Sequence, residues 1–112
     1  MTTKGAYLGE FEELILIATA TLVDEAYGVS IMNFIESEAG RTVNISAVHE
    51  VLKRLENKGL LKSRMGGATA ERGGRRKRYF KLTAAGTKML TVNIKTRMNL
   101  YLRIPNVSLN SI

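Results

Sequence analysis

The chain has 112 residues, enough for one compact domain, and its 45% hydrophobic and 24% charged residues are typical of a folded protein rather than a disordered one. It has no cysteine and a single histidine, which excludes disulfides, cysteine-ligated metal centres and histidine-rich metal sites. The net charge of +7 is segregated, with −6 in residues 1–40, +9 in residues 41–83 and +4 in residues 84–112. We therefore predict that the middle of the chain faces a polyanion.

The longest nearly apolar run, Leu14 to Val23, contains threonines and is far shorter than the roughly 20 residues that cross a bilayer. Acidic rather than basic residues precede it, which is unlike a secretory signal. The sequence therefore predicts a cytoplasmic protein with no membrane partner.

The first predicted element is a helix with apolar residues at three- and four-residue steps, namely Leu8, Phe11, Ile15, Ala18 and Leu22. The acidic residues of its first turn, among them Glu12 and Glu13, suit the positive end of the helix dipole. Leu14, Leu16 and Ile17 add apolar side chains around the remaining circumference, so one core would not cover the whole helix. We predict that this helix contacts a second subunit through Leu14 and Ile17.

A second, short helix follows a break at residues 24–28 and stops at Gly40, which suits a left-handed C-terminal position. After a very short extended segment at residues 42–44, Asn44 is the predicted N-cap of a third helix that ends at Gly59. The core face of this helix carries Val48, Val51, Leu52 and Leu55, and its free face carries Ser46, His49, Glu50, Lys53 and Asn57. Two helices in this arrangement predict a helix-turn-helix.

Two strands are predicted next, from Leu60 to Met65 and from Arg76 to Leu82. Four glycines lie among the ten residues 66–75 between them, which indicates a long hairpin tip rich in basic side chains. Because the second strand alternates, we expect Tyr79 or Phe80 to face the core. Helices followed by such a hairpin predict an α+β winged helix-turn-helix.

Thr83 is the predicted N-cap of the last helix, and Pro105 enforces its end. A stripe at helical spacing consists of Leu90, Ile94, Met98 and Tyr101. The small core of one subunit gives this helix little to pack on, so we expect it to pack on helix one of a partner. We divide the chain into a winged helix-turn-helix domain at 1–83, a dimerisation helix at 84–104 and a flexible tail at 105–112.

Five motifs occur together in this chain. They are Leu8-Gly9-Glu10-Phe11-Glu12, Asp24-Glu25-Ala26-Tyr27-Gly28, Val48-His49-x-x-Leu52-x-x-Leu55-Glu56-x-x-Gly59-Leu60-Leu61, Glu71-Arg72-Gly73-Gly74-Arg75 and Arg78-Tyr79-Phe80-x-Leu82-Thr83-x-x-Gly86. Over about residues 8–90 this combination resembles the PadR family of bacterial transcriptional regulators, in its form with one short C-terminal helix. The chain departs from the family at His49 and Glu50, where members commonly have Tyr and often have Pro. The resemblance implies a dimeric DNA-binding repressor.

The third helix also suits DNA on physical grounds, because a helix about 10–12 Å across fits the major groove. Ser46, His49 and Lys53 can reach base edges there, and for His49 a base contact, a phosphate contact and simple solvation remain alternatives. Tyr27 either bonds a phosphate through its hydroxyl or packs at the start of helix two. For the wing arginines, a narrow minor groove, the phosphate backbone and a solvated hairpin whose charges prevent edge pairing remain alternatives. The predicted DNA-binding residues are Tyr27, Asn44, Ser46, His49, Lys53, Arg72, Arg75, Arg76, Lys77 and Arg78.

Enzymatic functions fit poorly, because the only histidine lies on a basic helix face and the glycine-rich tip lacks the Gly-Lys-Ser or Gly-Lys-Thr ending of a phosphate-binding loop. We predict a non-enzymatic homodimer, without a cofactor or metal, that binds double-stranded DNA at a near-palindromic operator. Two alternatives are a winged helix that grips structured RNA or serves as a protein adaptor, and an accessory subunit of an enzyme. A small-molecule effector is compatible with the resemblance, but the sequence identifies none.

Overall fold

The computed structural model describes residues 8–66 and 76–108 of the chain. The elements in these ranges are α1 (Glu10–Thr21), α2 (Gly28–Ala39), α3 (Ile45–Asn57), β1 (Leu61–Met65), β2 (Arg78–Leu82) and α4 (Ala84–Tyr101). The two strands pair antiparallel, from Leu61 opposite Leu82 to Met65 opposite Arg78. This order of helices and hairpin is the predicted α+β winged helix.

Helix ends are set by residues that the sequence identifies. The Asn44 side-chain oxygen accepts two backbone N–H groups of the first turn of α3, at 2.6 and 3.3 Å. The Thr83 hydroxyl accepts the Gly86 N–H at the start of α4, at 3.0 Å. Gly40 ends α2 with φ of 63°, a left-handed conformation that glycine adopts without strain. These three predictions are confirmed.

Both strands begin later than predicted. Leu60 belongs to the turn after α3, because its N–H donates to the Leu55 carbonyl at 2.9 Å, and β1 therefore starts at Leu61. The ladder of β2 starts at Arg78 rather than Arg76. The predicted extended segment at residues 42–44 lies in irregular backbone.

The last helix stops earlier than predicted. It ends at Tyr101, before Pro105, because the N–H groups of Arg103 and Ile104 each donate to the carbonyl three residues back, both at 3.1 Å. Bonds of this spacing tighten the chain into turns and end the α-helical pattern. Pro105 therefore lies beyond the helix end.

The core lies between the first three helices and the sheet. Its largest fully buried side chains are Ile15, Leu16, Ile31, Ile35, Val48, Leu52, Leu55 and Leu61. All four apolar residues predicted for the inner face of α3 are buried, which confirms the register of this helix. On α1, Leu16 is fully buried and Leu14 is half-buried against the same core, so part of the circumference that the sequence assigns to a second subunit is covered within one subunit.

The wing is fixed to the helices through β2. Phe80 is buried in the core, whereas Tyr79 beside it is half-buried, as the predicted alternation requires. The Phe80 N–H donates to the Ala26 carbonyl in the loop before α2, at 2.8 Å. The strand is thus bonded both to its hairpin partner and to the helix-turn-helix.

The two halves of α4 have different surroundings. Its first turn is so close to the turn before β1 that a Cβ at Gly86 would lie 2.0 Å from the Leu60 carbonyl oxygen, and Leu90 is half-buried against the core. Further along, Leu100 is exposed by 57%, and Leu102, just beyond the helix end, by 45%. The expectation that this helix has little to pack on within its own subunit is therefore wrong for its N-terminal half.

Candidate nucleic-acid interface

The free face of α3 is the centre of the candidate interface. Ser46, His49 and Lys53 are exposed there, opposite the buried apolar face of the same helix. Asn44, also predicted as a DNA ligand, has its side-chain oxygen engaged by two N–H groups of α3. That oxygen caps the helix, so the structure gives Asn44 a role in fixing the start of α3.

The position of His49 is determined by a close approach to α2. A Cβ added to Gly28 would lie 2.4 Å from the His49 Cε1 atom, so the imidazole rests against backbone that only glycine leaves open. Gly28 is itself buried, whereas His49 is exposed. The ring therefore lies where α3, the start of α2 and the wing meet.

A groove separates α3 from β2. Two adjoining hollows, each of about 420 Å³, share His49, Arg78 and Phe80 in their linings. Lys53 lines one of them. The other is also lined by Tyr27, Gly28, Val29, Arg76 and Lys77. The fold thus gathers six of the predicted DNA-binding residues, which the sequence places on three separate elements, around a single cationic groove.

Hydrogen bonds hold the wing cations in place. One guanidinium nitrogen of Arg78 donates to the Ser63 hydroxyl at 2.9 Å, and this hydroxyl donates to the Glu56 carboxylate of α3 at 2.6 Å. The Arg76 Nε donates to the Gly66 carbonyl at 2.9 Å, across the hairpin. Because Arg78 reaches Glu56 of α3 through a single hydroxyl, the wing and α3 form one surface.

Tyr27 makes ring contacts with the wing. Its ring meets Tyr79 edge-on, with centroids 5.6 Å apart and an interplanar angle of 79°. The Lys77 ammonium lies 4.3 Å from the Tyr27 centroid, and the Arg64 guanidinium lies 4.9 Å from the Tyr79 centroid. Such edge-on and cation–π contacts are attractive. Of the two alternatives for Tyr27, they support packing at the start of α2.

The remaining predicted residues divide into three groups. Arg72 and Arg75 lie outside the described residues. Of the predicted dimer residues, Leu14 and Leu90 are half-buried against their own core. The others are half-buried or exposed, namely Ile17, Ile94, Met98 and Tyr101.

The sequence assigns Glu12 to the helix dipole, but the structure buries this carboxylate beneath α3. Gly9 N–H donates to its Oε1 at 2.9 Å, and the Lys58 Nζ lies 3.0 Å and an Arg54 nitrogen 3.6 Å from its Oε2. Burial alone would raise the pKa of Glu12, but the Gly9 N–H and the two cations together hold it below its ordinary value. Its spacing could have indicated this burial, because Glu12 lies four residues after Leu8 and therefore on the apolar face of α1.

Glu13 was likewise missed. It is only 6% exposed, and its carboxylate accepts from the Asn93 amide at 2.7 Å and from the Arg97 guanidinium, both on α4. No local pattern reveals this pairing, because the partners lie 80 and 84 residues away in the sequence.

Two further properties of the described residues bear on function. None of the helices they form combines the length and the apolar character needed to cross a membrane. The same ranges contain no group of three or more histidine or acidic side chains arranged to hold a metal ion.

The sequence also matches a family model. The model of the Transcriptional regulator PadR-like family matches residues 16–92, more than half of the chain. The chain belongs to the PadR-like family. It is a transcriptional regulator rather than an enzyme, as the resemblance of its motifs implied.

Solved PadR-like structures share the fold. A PadR-like transcription factor from Bacteroides fragilis has a TM-score of 0.71 at 24% identity, over 88% of this chain and 89% of that one. A PadR family regulator from Clostridium difficile has a TM-score of 0.59 at 28% identity, over 80% and 97%. Bacillus subtilis PadR, solved in complex with operator DNA, has a TM-score of 0.59 at 18% identity, over 89% of this chain and 51% of its own. No curated protein matches the sequence.

Proposed function

We propose that this PadR-like regulator binds double-stranded DNA as a homodimer, at a near-palindromic operator, and represses transcription there. The observation that carries the proposal is the cationic groove, in which His49 and Lys53 of α3 lie beside Arg78 of the wing. When a helix enters the major groove of DNA and a basic wing contacts the flanking DNA backbone, both sides of the protein's cationic groove face the DNA. The Bacillus subtilis family member has been solved on operator DNA with the same fold, which agrees with this assignment.

Within this proposal the residues have different tasks. Ser46 and His49 lie near the N-terminal end of α3, where a recognition helix reaches base edges. Lys53 lies one turn further on, and Arg76 and Arg78 present charge from the wing to the sugar-phosphate backbone. Specificity then comes from α3, and a large part of the affinity comes from the wing.

The proposed dimer forms through α4 and α1 of the two copies. Ile94 and Met98 lie four residues apart on α4, and Leu102 follows at the same step just beyond the end of the helix. Met98 and Leu102 are exposed by 37% and 45%. Residues 84–112 contain four basic residues and no acidic one, whereas residues 1–40 have a net charge of −6. Apolar exposure with complementary charge supports contact between these two regions of different copies. This assigns residues 1–83 to DNA binding, 84–104 to dimerisation and 105–112 to a tail.

DNA binding is tested by titrating selected operator duplexes with Ser46→Ala, His49→Ala and Lys53→Ala at fixed salt. Loss of a base contact should weaken operator binding by about 1–3 kcal/mol, and loss of a phosphate contact should lower the salt slope by about 0.9 per phosphate. Lys95→Ala is the matched control, because Lys95 is an exposed cation on α4. Equal binding by all four variants would contradict the groove assignment.

A competition series with structured RNA belongs to the same experiment. Preferential binding of RNA over every duplex would support the RNA-binding alternative instead. Repression is tested by transcription from a promoter that carries the selected operator, with and without the protein. Unchanged or increased transcript would contradict the repressor assignment.

The dimer is tested by Met98→Ser combined with Leu102→Ser. Because both side chains are exposed, one on the last turn of α4 and one just beyond it, their replacement should give monomers at micromolar concentration in analytical ultracentrifugation. Met65→Ser is the control, since Met65 is an exposed apolar residue of β1, outside both helices of the proposed interface. A double variant that remains dimeric would exclude this face from the interface.

A further inference from the structure

Two adjacent carboxylates on α1 hold two different helices. Glu12 pairs with Lys58, just beyond the end of α3, and Glu13 pairs with Asn93 and Arg97 of α4. Consecutive residues of an α-helix lie about 100° apart around its axis, so the two side chains leave α1 in different directions. The helix α1 is therefore a bridge between the recognition helix and the proposed dimerisation helix.

The Glu13 contact resists displacement because the carboxylate is buried. The Glu13 side chain is 7% exposed. Glu10 of the same helix is 69% exposed and pairs with Arg41, which follows α2. A surface pair contributes little, whereas a buried charge that loses its partners is strongly unfavourable. If α4 tilted away from α1, Glu13 would lose both the Asn93 amide and the Arg97 guanidinium.

Asn93 contacts both α1 and the residue Leu8, which precedes this helix. Its amide nitrogen donates to Glu13 at 2.7 Å, and its amide oxygen accepts the Leu8 N–H at 3.3 Å. Arg97 follows one helical turn later and reaches the same carboxylate. These contacts hold α4 at two successive turns, where it passes from the core into the exposed apolar segment.

We propose that Glu13 is a positioning residue that sets the tilt of α4 and thereby the spacing of operator half-sites that the dimer accepts. This inference rests on the proposed function, because the tilt affects DNA only if α4 joins the two copies. The 18 residues of α4 span about 27 Å at about 1.5 Å per residue. A tilt of about 10° moves the far end by about 5 Å, more than the rise of about 3.4 Å per base pair.

The inference predicts a change in spacing preference rather than in half-site affinity. The test uses duplexes that carry two identical half-sites separated by a series of spacers, titrated with Arg97→Gln and Glu13→Gln. The parent protein should prefer one spacer, and both variants should lose at least about fivefold of that preference, a coupling of ordinary size. Binding to a duplex with a single half-site should not change.

Several controls separate positioning from stability. Arg97 is 61% exposed, so Arg97→Gln is expected to fold even if Glu13→Gln does not. Arg97→Lys keeps the charge and should restore most of the spacer preference. Arg41→Gln removes the exposed ion pair between Arg41 and Glu10 of α1 and should retain the spacer preference of the parent. A spacer preference that is unchanged in Arg97→Gln would overturn the inference and leave the proposed function intact.

A second measurement needs no DNA. Because the chain has no cysteine, Ser37→Cys introduces a unique spin-label site at an exposed position on α2. The distance between labels of the two copies should be narrowly distributed in the parent and broad in Arg97→Gln. Identical distributions would overturn the inference, and the absence of any coupling between labels would overturn the dimer together with it.

Discussion

The helices α3 and α4 differ in where their apolar residues find partners. Every apolar residue predicted for the inner face of α3 is buried by its own subunit, and the opposite face is polar and exposed. In α4 only the N-terminal half packs on the core, while Val92, Met98 and Leu100 remain exposed at different positions around the helix. A helix that packs only within its own subunit shows clear amphipathic periodicity. A helix that also carries apolar residues for contacts outside the subunit does not.

The same contrast applies to the carboxylates of α1. Glu12 joins α1 to the end of α3 inside the folded domain, and Glu13 joins it to the helix that leaves the core. The structure therefore predicts large stability effects near α3 and at the base of α4, and small ones along the exposed part of α4. Four measurements test this gradient.

The largest effect is expected at the inner face of α3. Leu52 is 1% exposed, so Leu52→Ala should lower the free energy of unfolding by about 2–5 kcal/mol through lost burial and a residual cavity. Urea denaturation followed by circular dichroism measures it. Lys53→Ala, at the next position but exposed, should stay within about 0.5 kcal/mol of the parent. Similar values for the two variants would contradict the division of α3 into two faces.

The next effect concerns the base of α4. Gly86→Ala places a Cβ 2.0 Å from the Leu60 carbonyl oxygen, so α4 and the turn before β1 must move apart, at a cost of about 1–3 kcal/mol. Thr87→Ala is the control, because Thr87 is exposed in the same turn. Thermal unfolding compares the two. A Gly86→Ala protein as stable as the control would mean that α4 does not rest on Leu60 in solution.

A smaller effect on stability is expected when the pH is lowered. The pKa of Glu12 is lowered from 4.5 in the folded protein, so its contribution to stability is present above pH 4.5 and is lost as the pH falls through the folded pKa. Between pH 6 and pH 3, Glu12→Gln should therefore lose less stability than the parent. The midpoint of thermal unfolding, measured against pH for both proteins, checks this. Parallel curves would contradict the assigned pairing of Glu12.

The smallest effect is expected on the exposed part of α4. Leu100→Ser should change the free energy of unfolding of one subunit by no more than about 0.5 kcal/mol, because Leu100 is 57% exposed. The measurement requires a protein concentration at which parent and variant are both monomeric. A loss comparable with that of Leu52→Ala would show that α4 packs within its own subunit along its whole length.

Much of the fold could be predicted from the sequence. The order of elements, the register of α3 and the caps at Asn44, Gly40 and Thr83 follow from short-range spacing and side-chain chemistry. The strand starts at Leu61 and Arg78 were missed by one or two residues, because hydrogen bonds to other elements decide where a strand begins.

For the candidate site, the sequence determined which residues are exposed and basic, and the tertiary structure decided which of them meet. His49 and Arg78 line one groove because backbone and hydroxyl contacts bring the wing beside α3. The burial of Glu12 and Glu13 likewise depends on partners 46 and 80 residues away. Helical periodicity records only neighbours within about one turn, so it identifies a face but not what covers that face. Only folding brings the distant side chains together.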